Sequence, residues 1–149
     1  MRAVAQRVRR ARIQVGGETV GEMGPGLLAL VGVGRTDTPA SAAELAAKLV
    51  HLRVFEDDDG KMNASLLDVG GTLGLVSQFT LLGDARKGRR PSFGEAAPPE
   101  QAEPLLEALA DAARALGAAV VTGRFRARMD VELVNAGPVT LLLDTERRF

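Results

Sequence analysis

The chain has no cysteine, no tryptophan and no tyrosine, and a single histidine, His51. Without cysteine there is no disulfide framework, no thiolate metal site and no thiol nucleophile. One imidazole cannot build a multi-histidine zinc site within one chain, and any Ser-His-Asp arrangement would have to use His51. No metal and no cofactor is therefore expected. No apolar run approaches the roughly 18 residues that a membrane span needs. The opening Met1-Arg2-Ala3-Val4-Ala5-Gln6-Arg7 has no apolar core of a secretion signal, so a cytoplasmic location and no membrane partner are expected. Charge of one sign is not in excess either: Lys plus Arg and Asp plus Glu number 19 each. The whole-molecule field therefore gives no reason to expect a polyanionic partner. The distribution is less even, because five arginines fall between Arg2 and Arg12, and Arg86, Lys87, Arg89 and Arg90 form a second basic cluster.

What is present is ordinary for a globular protein. The 149 residues are 46% hydrophobic and 26% charged, which excludes disorder. The length matches one domain, 1–149, and no repeat, low-complexity tract or linker divides it. Residues 2–15 read as extended chain whose apolar parity changes after Arg9-Arg10, to Ala11, Ile13 and Val15. One extra residue there, as in a β-bulge, keeps both apolar sets on the core face. Gly16-Gly17 reads as a hairpin turn into a strand near Glu18–Met23, and Leu27 to Val33 as a central strand. Pro39, with Ser41 and Glu44 as a capping box, opens a helix with Leu45, Leu49 and Leu52 at helical spacing. His51 falls near its end, a place for a surface histidine. Asp57-Asp58-Asp59-Gly60-Lys61 lacks the later oxygens of a calcium loop and reads as an acidic turn. Leu73–Leu82 reads as a buried strand and Gly83–Phe93 as a basic loop. A second helix runs from about Gln101 to Leu116, with Leu105, Leu106, Leu109 and Leu116 as its core set. Closing strands are expected at Ala118–Thr122, Met129–Val134 and Val139–Asp144. Strands, helix, strands, helix, strands argue an α+β fold with one large mixed sheet.

Three segments carry candidate chemistry. Ser77-Gln78-Phe79-Thr80 is a polar patch in an apolar stretch. Buried hydroxyls and amides cost stability unless hydrogen-bonded, so the patch reads either as the outer face of an alternating strand or as the lining of a pocket. Asn135-Ala136-Gly137-Pro138-Val139-Thr140 reads as a hairpin turn between late strands. Only about 5–6% of X-Pro bonds in folded proteins are cis, so sequence alone favours a trans Gly-Pro bond. The basic loop Arg86-Lys87-Gly88-Arg89-Arg90-Pro91-Ser92-Phe93 reads as a solvated loop or as a phosphate-holding one, with Phe93 available for stacking on a base. Gly32-Val33-Gly34-Arg35 lacks the third glycine of a dinucleotide fingerprint.

Taken together these segments resemble one family. Gln6-Arg7-Val8, Gly60-Lys61-Met62-Asn63, Ser77-Gln78-Phe79-Thr80-Leu81, Arg90-Pro91-Ser92-Phe93, Thr122-Gly123-Arg124-Phe125 and Gly137-Pro138-Val139-Thr140 are similar to segments of the bacterial D-aminoacyl-tRNA deacylases. The resemblance runs from Met1 to about Asp144. The tetrad ending at Thr80 and the Gly-Pro segment correspond to that family's two signature motifs. One departure is Ala136, where the family commonly has Asp.

The resemblance implies a mixed sheet curled toward a barrel with two main helices, and a homodimer whose active sites lie at the subunit interface. It implies hydrolysis of the ester joining a D-amino acid, or mischarged glycine, to the 3′-terminal adenosine of tRNA. That is a chiral proofreading activity in translation quality control. It further implies that Ser77, Gln78, Phe125 and Met129 line the substrate pocket, with Phe79 and Thr80 at the catalytic position. Gly137 and Pro138, in a cis bond fixed by Arg7, would enter the partner's site as the chiral selector. Arg86, Lys87, Arg89, Arg90 and Phe93 are the candidate tRNA contacts. A dimeric tRNA-binding module without hydrolysis is the alternative, since the basic loop would serve it equally well. A hydrolase of small D-amino-acid esters is a second alternative, one that salt would leave unaffected.

Overall fold

The computed structural model describes all 149 residues, Met1–Phe149. The chain folds as β1 (Arg2–Val15), β2 (Glu18–Met23), β3 (Gly26–Gly32), α1 (Pro39–His51), a small pair β4 (Phe55–Glu56) and β5 (Met62–Ala64), β6 (Thr72–Ser77), α2 (Pro99–Ala115), β7 (Ala119–Thr122) and β8 (Asp130–Asp144). The main sheet is mixed. β1 pairs antiparallel with β2, β3 and β8, whereas β3, β6 and β7 run parallel. No helix is long and apolar enough to cross a membrane.

β1 organises the sheet. One edge pairs with β8 from Arg2 to Gln14; the other pairs with β3 over Arg2–Val8 and then with β2 over Ala11–Val15. Where the partner changes, the register against β8 slips by one residue between Val8 and Arg10, the bulge expected from the parity change. Its twist lets the sheet roll until β2 lies against β7. A Cβ on Gly21 would come within 2.8 Å of Val121 Cγ1. The sheet is thus nearly closed into a barrel.

The two faces hold two cores. Ala3 and Ala5 of β1 join Leu27, Ala29 and Val31 of β3 and Leu73 and Leu75 of β6 under the helices, which add Leu45, Leu49, Leu105 and Leu109. Val8, Ala11 and Ile13 join Met23, Leu28 and Val76 inside the rolled sheet. Burying side chains of this size is worth roughly 1.5–3 kcal/mol each against exposure, and this drives both layers together.

Several expectations change. The α1 box lies one turn earlier than Ser41-Glu44: Thr38 caps the helix and its N–H donates to Ser41 Oγ at 3.1 Å, because Pro39 already occupies the first turn. α2 starts at Pro99, so Pro104 lies inside the helix, where it has no N–H to give to the preceding turn, and Leu116 falls past the helix end and is exposed. The acidic turn joins β4 to β5. There the Asp57 carboxylate accepts from the N–H groups of Asp59 and Lys61, at 2.9 and 3.0 Å, which holds it below the usual carboxylate range. The Asn135–Thr140 segment is not a hairpin turn, since β8 runs through it as one strand with a looped-out stretch.

The stretch Leu73–Leu82 is also not one strand. β6 ends at Ser77, and Phe79–Leu82 fold back as a 3-10 turn over the end of β3. Gly32 makes the fold-back possible, because a Cβ there would lie 2.9 Å from the Gln78 carbonyl oxygen and 3.1 Å from Leu81 Cβ. Gly32→Ala is therefore expected to lower stability by about 1–3 kcal/mol, the usual cost of overfilling a packed site, and to displace the 3-10 turn. Urea unfolding checks the first; loss of activity beyond the unfolded fraction at assay temperature checks the second.

Candidate active site

β3, β6 and β7 are parallel, so their C-terminal ends fall at one end of the sheet, the usual place for a site in such sheets. A cavity of about 660 Å³ opens there. Val31 and Val33 come from the end of β3 and just beyond it, Val76 and Ser77 from the end of β6, Gln78 to Thr80 from the turn that follows it, and Phe125 to Met129 from the loop after β7. Ala97, Pro99, Ala102 and Leu106, in and just before α2, form the remaining wall together with Val131 of β8.

Ser77, Gln78, Phe79, Thr80, Phe125 and Met129 thus meet in one cavity. Ser77 and Gln78 are half-buried and Phe79 and Thr80 exposed, so the tetrad lines an open mouth and is not buried in a strand. The turn that carries it is braced from three sides. Gln78 N–H donates to the Val31 carbonyl at 2.7 Å, extending the β3–β6 pairing by one bond. A guanidinium N–H of Arg2 donates to the Leu81 carbonyl at 3.2 Å, and Arg2 is itself paired with Asp144. Phe93 packs edge-to-face on Phe79, ring centroids 5.1 Å apart. Phe79 and Thr80 open the turn, so their N–H groups have no acceptor inside it and remain available to a ligand.

The cavity has an unusual charge inventory. Its wall contains no Asp, Glu or His, and its only ionisable side chains are Arg126 and Arg128. His51 ends α1, away from it. A hydrolytic reaction here has no side-chain general base and must rely on positioned water, backbone donors and whatever groups the substrate brings.

The basic loop lies beside this mouth through Phe93. Asp84 and Ser92 exchange backbone hydrogen bonds of 2.8 and 2.9 Å, which close the loop at its base. Arg86 is engaged by Asp84, with guanidinium contacts of 2.9 and 2.6 Å that hold the Asp84 carboxyl far below its usual range. Lys87, Arg89 and Arg90 are exposed and form no ion pair within the chain.

Arg7, Gly137 and Pro138 do not join the cavity of their own chain. Between the pairs Gln6–Thr140 and Val8–Asn135, β1 contributes one residue, Arg7, while β8 contributes Ala136 to Val139. The surplus loops out of the sheet with Gly137 and Pro138 exposed. The Gly137-Pro138 bond is cis, as the family resemblance implies and against the preference of sequence alone. Gly137 has φ +125, a region open essentially to glycine only. Arg7 fixes the loop by donating to the Ala136 carbonyl at 3.1 Å and the Val54 carbonyl at 2.7 Å. Asn135, which reads from sequence as a turn residue, is a second brace: its amide donates to the Arg7 and Val139 carbonyls at 2.9 and 3.0 Å. Sequence reasoning also misses Arg126, Arg128 and the α2 wall. No spacing rule links them to the tetrad, although Leu106 stands out as an apolar helix position.

Fold and cavity together define an α+β protein with a mostly apolar binding site at its parallel-strand ends. The family model described as D-Tyr-tRNA(Tyr) deacylase matches residues 4–144. The chain is 58% identical over 149 residues to a protein of Symbiobacterium thermophilum named D-aminoacyl-tRNA deacylase, covering 100% of this chain and 99% of that one. It is 57% identical over 148 residues to a Thermus aquaticus protein of the same name, covering 99% and 97%. Among solved structures it is similar to one described as "c-Myc DNA Unwinding Element Binding Protein", with TM-score 0.92, 38% identity and coverage of 97% and 99%. It shares its fold with a probable eukaryotic D-amino acid tRNA deacylase at TM-score 0.80 and 17% identity, with coverage of 95% and 97%. The chain belongs to the D-Tyr-tRNA(Tyr) deacylase family.

The Arg7 brace has a measurable consequence. Arg7→Ala removes two charge-assisted hydrogen bonds and is expected to lower stability by about 1–3 kcal/mol. It should also make the Ala136–Val139 loop a preferred site of limited proteolysis. Urea unfolding and a cleavage map check both; an unchanged map would mean that Asn135 alone holds the loop.

Proposed function

We propose that this protein hydrolyses the ester between a D-amino acid, or a mischarged glycine, and the 3′-terminal adenosine of tRNA, sparing L-aminoacyl-tRNA. The observation that carries this reading is the convergence of Ser77, Gln78, Phe79, Thr80, Phe125 and Met129 in one cavity, in a chain of this family. Residues 1–149 act as one domain, in the cytoplasm and without a cofactor, since the reaction consumes only water.

An aminoacyl ester is already activated, so a positioned water and a stabilised oxyanion suffice. The N–H groups of Phe79 and Thr80 hold the developing oxyanion, while Ser77, Gln78, Phe125 and Met129 hold the substrate. The ribose 2′-hydroxyl positions the water, which makes catalysis partly RNA-borne. Thr80 as a nucleophile would need a base, and the cavity wall carries none. Lys87, Arg89, Arg90 and Phe93 receive the tRNA, with Arg86 contributing less because Asp84 pairs with it.

The chiral selector comes from a second copy. Gly137 and Pro138 are exposed and lie outside the cavity of their own chain, and Leu142 on the same strand is 62% exposed. A two-fold dimer brings each loop to the partner's cavity. There its backbone, held by Arg7, excludes an L side chain by collision. Glycine has nothing to collide and passes.

The test compares D-, L- and glycyl esters on one tRNA body. D and glycyl esters should be cleaved and L esters spared; equal cleavage of D and L esters would sink the steric model. No release of amino acid from any of the three would leave a binding module without chemistry. A tRNA ending in 2′-deoxyadenosine should be bound but cleaved far more slowly, and Thr80→Ala should do less damage than that change. A covalent aminoacyl adduct on Thr80 would reverse the assignment.

A further inference from the structure

The cavity's only two ionisable side chains, Arg126 and Arg128, have no part in the chemistry above. Both are exposed and neither forms an ion pair within the chain, whereas Arg124, on the same loop, is paired with Glu18 at 3.5 Å. Arg126 stands at φ +62, a left-handed conformation that costs a side chain energy and that glycine adopts freely. The turn that fixes it is closed by the Ala127 N–H donating to the Arg124 carbonyl at 3.2 Å. Strain of this kind in the wall of a ligand cavity points to a use for the side chain.

The chemistry of the substrate says what that use is. This step rests on the reading that the ligand is aminoacyl-tRNA. In an aminoacyl ester the carboxylate is esterified, and the α-amino group is neutral or cationic. Two guanidinium groups therefore find no anion that every aminoacyl group shares; the anions common to all such substrates are the phosphodiesters next to the terminal adenosine. Guanidinium groups suit phosphate oxygens because two N–H donors engage them together. We infer that Arg126 and Arg128 clamp the phosphodiesters of the tRNA acceptor end, seating the terminal adenosine in the cavity. They are positioning residues on the loop after β7, separate from the Lys87–Arg90 loop that follows β6. With them, a chain of zero net charge places two unpaired positive charges in the wall of its site.

The experiment uses amide analogues that cannot be hydrolysed: a D-aminoacyl group on 3′-amino-3′-deoxyadenosine, alone and at the end of a CCA trinucleotide. Binding is measured to the full-length protein, to the Arg126→Ala, Arg128→Ala double variant, to the corresponding double Lys variant and to Arg126→Gly. The double Ala variant should bind the trinucleotide at least about tenfold more weakly. Its affinity for the phosphate-free nucleoside should change much less. The slope of log affinity against log salt should fall by about 0.7 for each phosphate that is no longer neutralised. Lysines should restore part of the affinity, since they keep charge but not the fork. Arg126→Gly should weaken trinucleotide binding while keeping or raising the melting temperature, which separates the effect from misfolding.

Equal weakening of both ligands would place the arginines at the aminoacyl-adenosine and overturn the clamp. So would an unchanged trinucleotide affinity. Wild-type protein that deacylates D-aminoacyl-tRNA while the variants bind normally would overturn this inference alone. Wild-type protein that binds neither analogue and cleaves no D-aminoacyl-tRNA would overturn the proposed function with it.

Discussion

The architecture depends on one strand sharing an edge between two partners. β1 pairs with β3 and then with β2 on the same side, while β8 follows it along the other. A regular strand cannot serve this arrangement, because its side chains would keep one parity throughout. The slip at Arg9 changes the parity, so Val8, Ala11 and Ile13 all face the interior of the rolled sheet. Ahead of it, Ala3 and Ala5 face the helices. The same strand carries Arg7, which stands opposite the looped-out part of β8 and holds it. Bending the sheet, closing it and presenting the Gly137-Pro138 loop are thus consequences of one strand's pairing.

From that frame the site follows. Parallel pairing sets the ends of β3, β6 and β7 side by side, and each ends in a segment that leaves the sheet: Val33, the turn at Phe79–Leu82, and the loop from Gly123. Small residues make these exits possible. Gly32 admits the turn, and the turn in turn supports Phe93 and the basic loop. The cavity wall is mostly apolar; its polar groups are amides, hydroxyls and guanidinium groups, and it contains no Asp, Glu or His. Selectivity in such a site has to come from shape and fixed donors. That demands rigid supports: Arg2 braces the turn at the cavity, and on the proposed dimer Arg7 and Asn135 brace the loop that enters the partner's cavity.

Some of this is readable in the sequence and the rest is hidden, for reasons that differ by residue. The bulge at Arg9-Arg10, the Gly16-Gly17 turn and the strand and helix cores are legible because periodicity records which side chains face a core. The end of β6 is not. Leu81 and Leu82 continue an apolar run, and only the tertiary cover of Gly32 shows that the run bends. β8 reads as two strands because Asn, Gly and Pro are turn residues, whereas register shows that they loop out of one continuous strand. Leu116 misleads by the same logic in reverse: its helical spacing is right, but the helix has ended. The tetrad and the Gly-Pro segment are identifiable only through resemblance to a family. Composition alone offers a solvent-facing strand and a hairpin.

Charge gives the last step. Nineteen basic and nineteen acidic residues cancel over the whole chain, and from that sum a polyanionic ligand looks improbable. The sum misleads because interactions between exposed charges fade over roughly 8–10 Å in physiological salt, so a ligand senses the groups around its own site. Some basic residues are neutralised within the chain. Arg12 is matched by Glu132, Arg86 by Asp84, Arg114 by Asp111 and Arg148 by Glu95. Arg126 and Arg128 in the cavity wall, and Lys87, Arg89 and Arg90 on the loop whose Phe93 packs on Phe79, are left without a carboxylate partner. Neutral overall composition keeps non-specific attraction to nucleic acid low, while Arg126 and Arg128 leave two unmatched positive charges in the cavity wall itself. A proofreading enzyme gains from that division: on the proposed reading it must sample many tRNAs and hold only an acceptor end that carries the wrong ester.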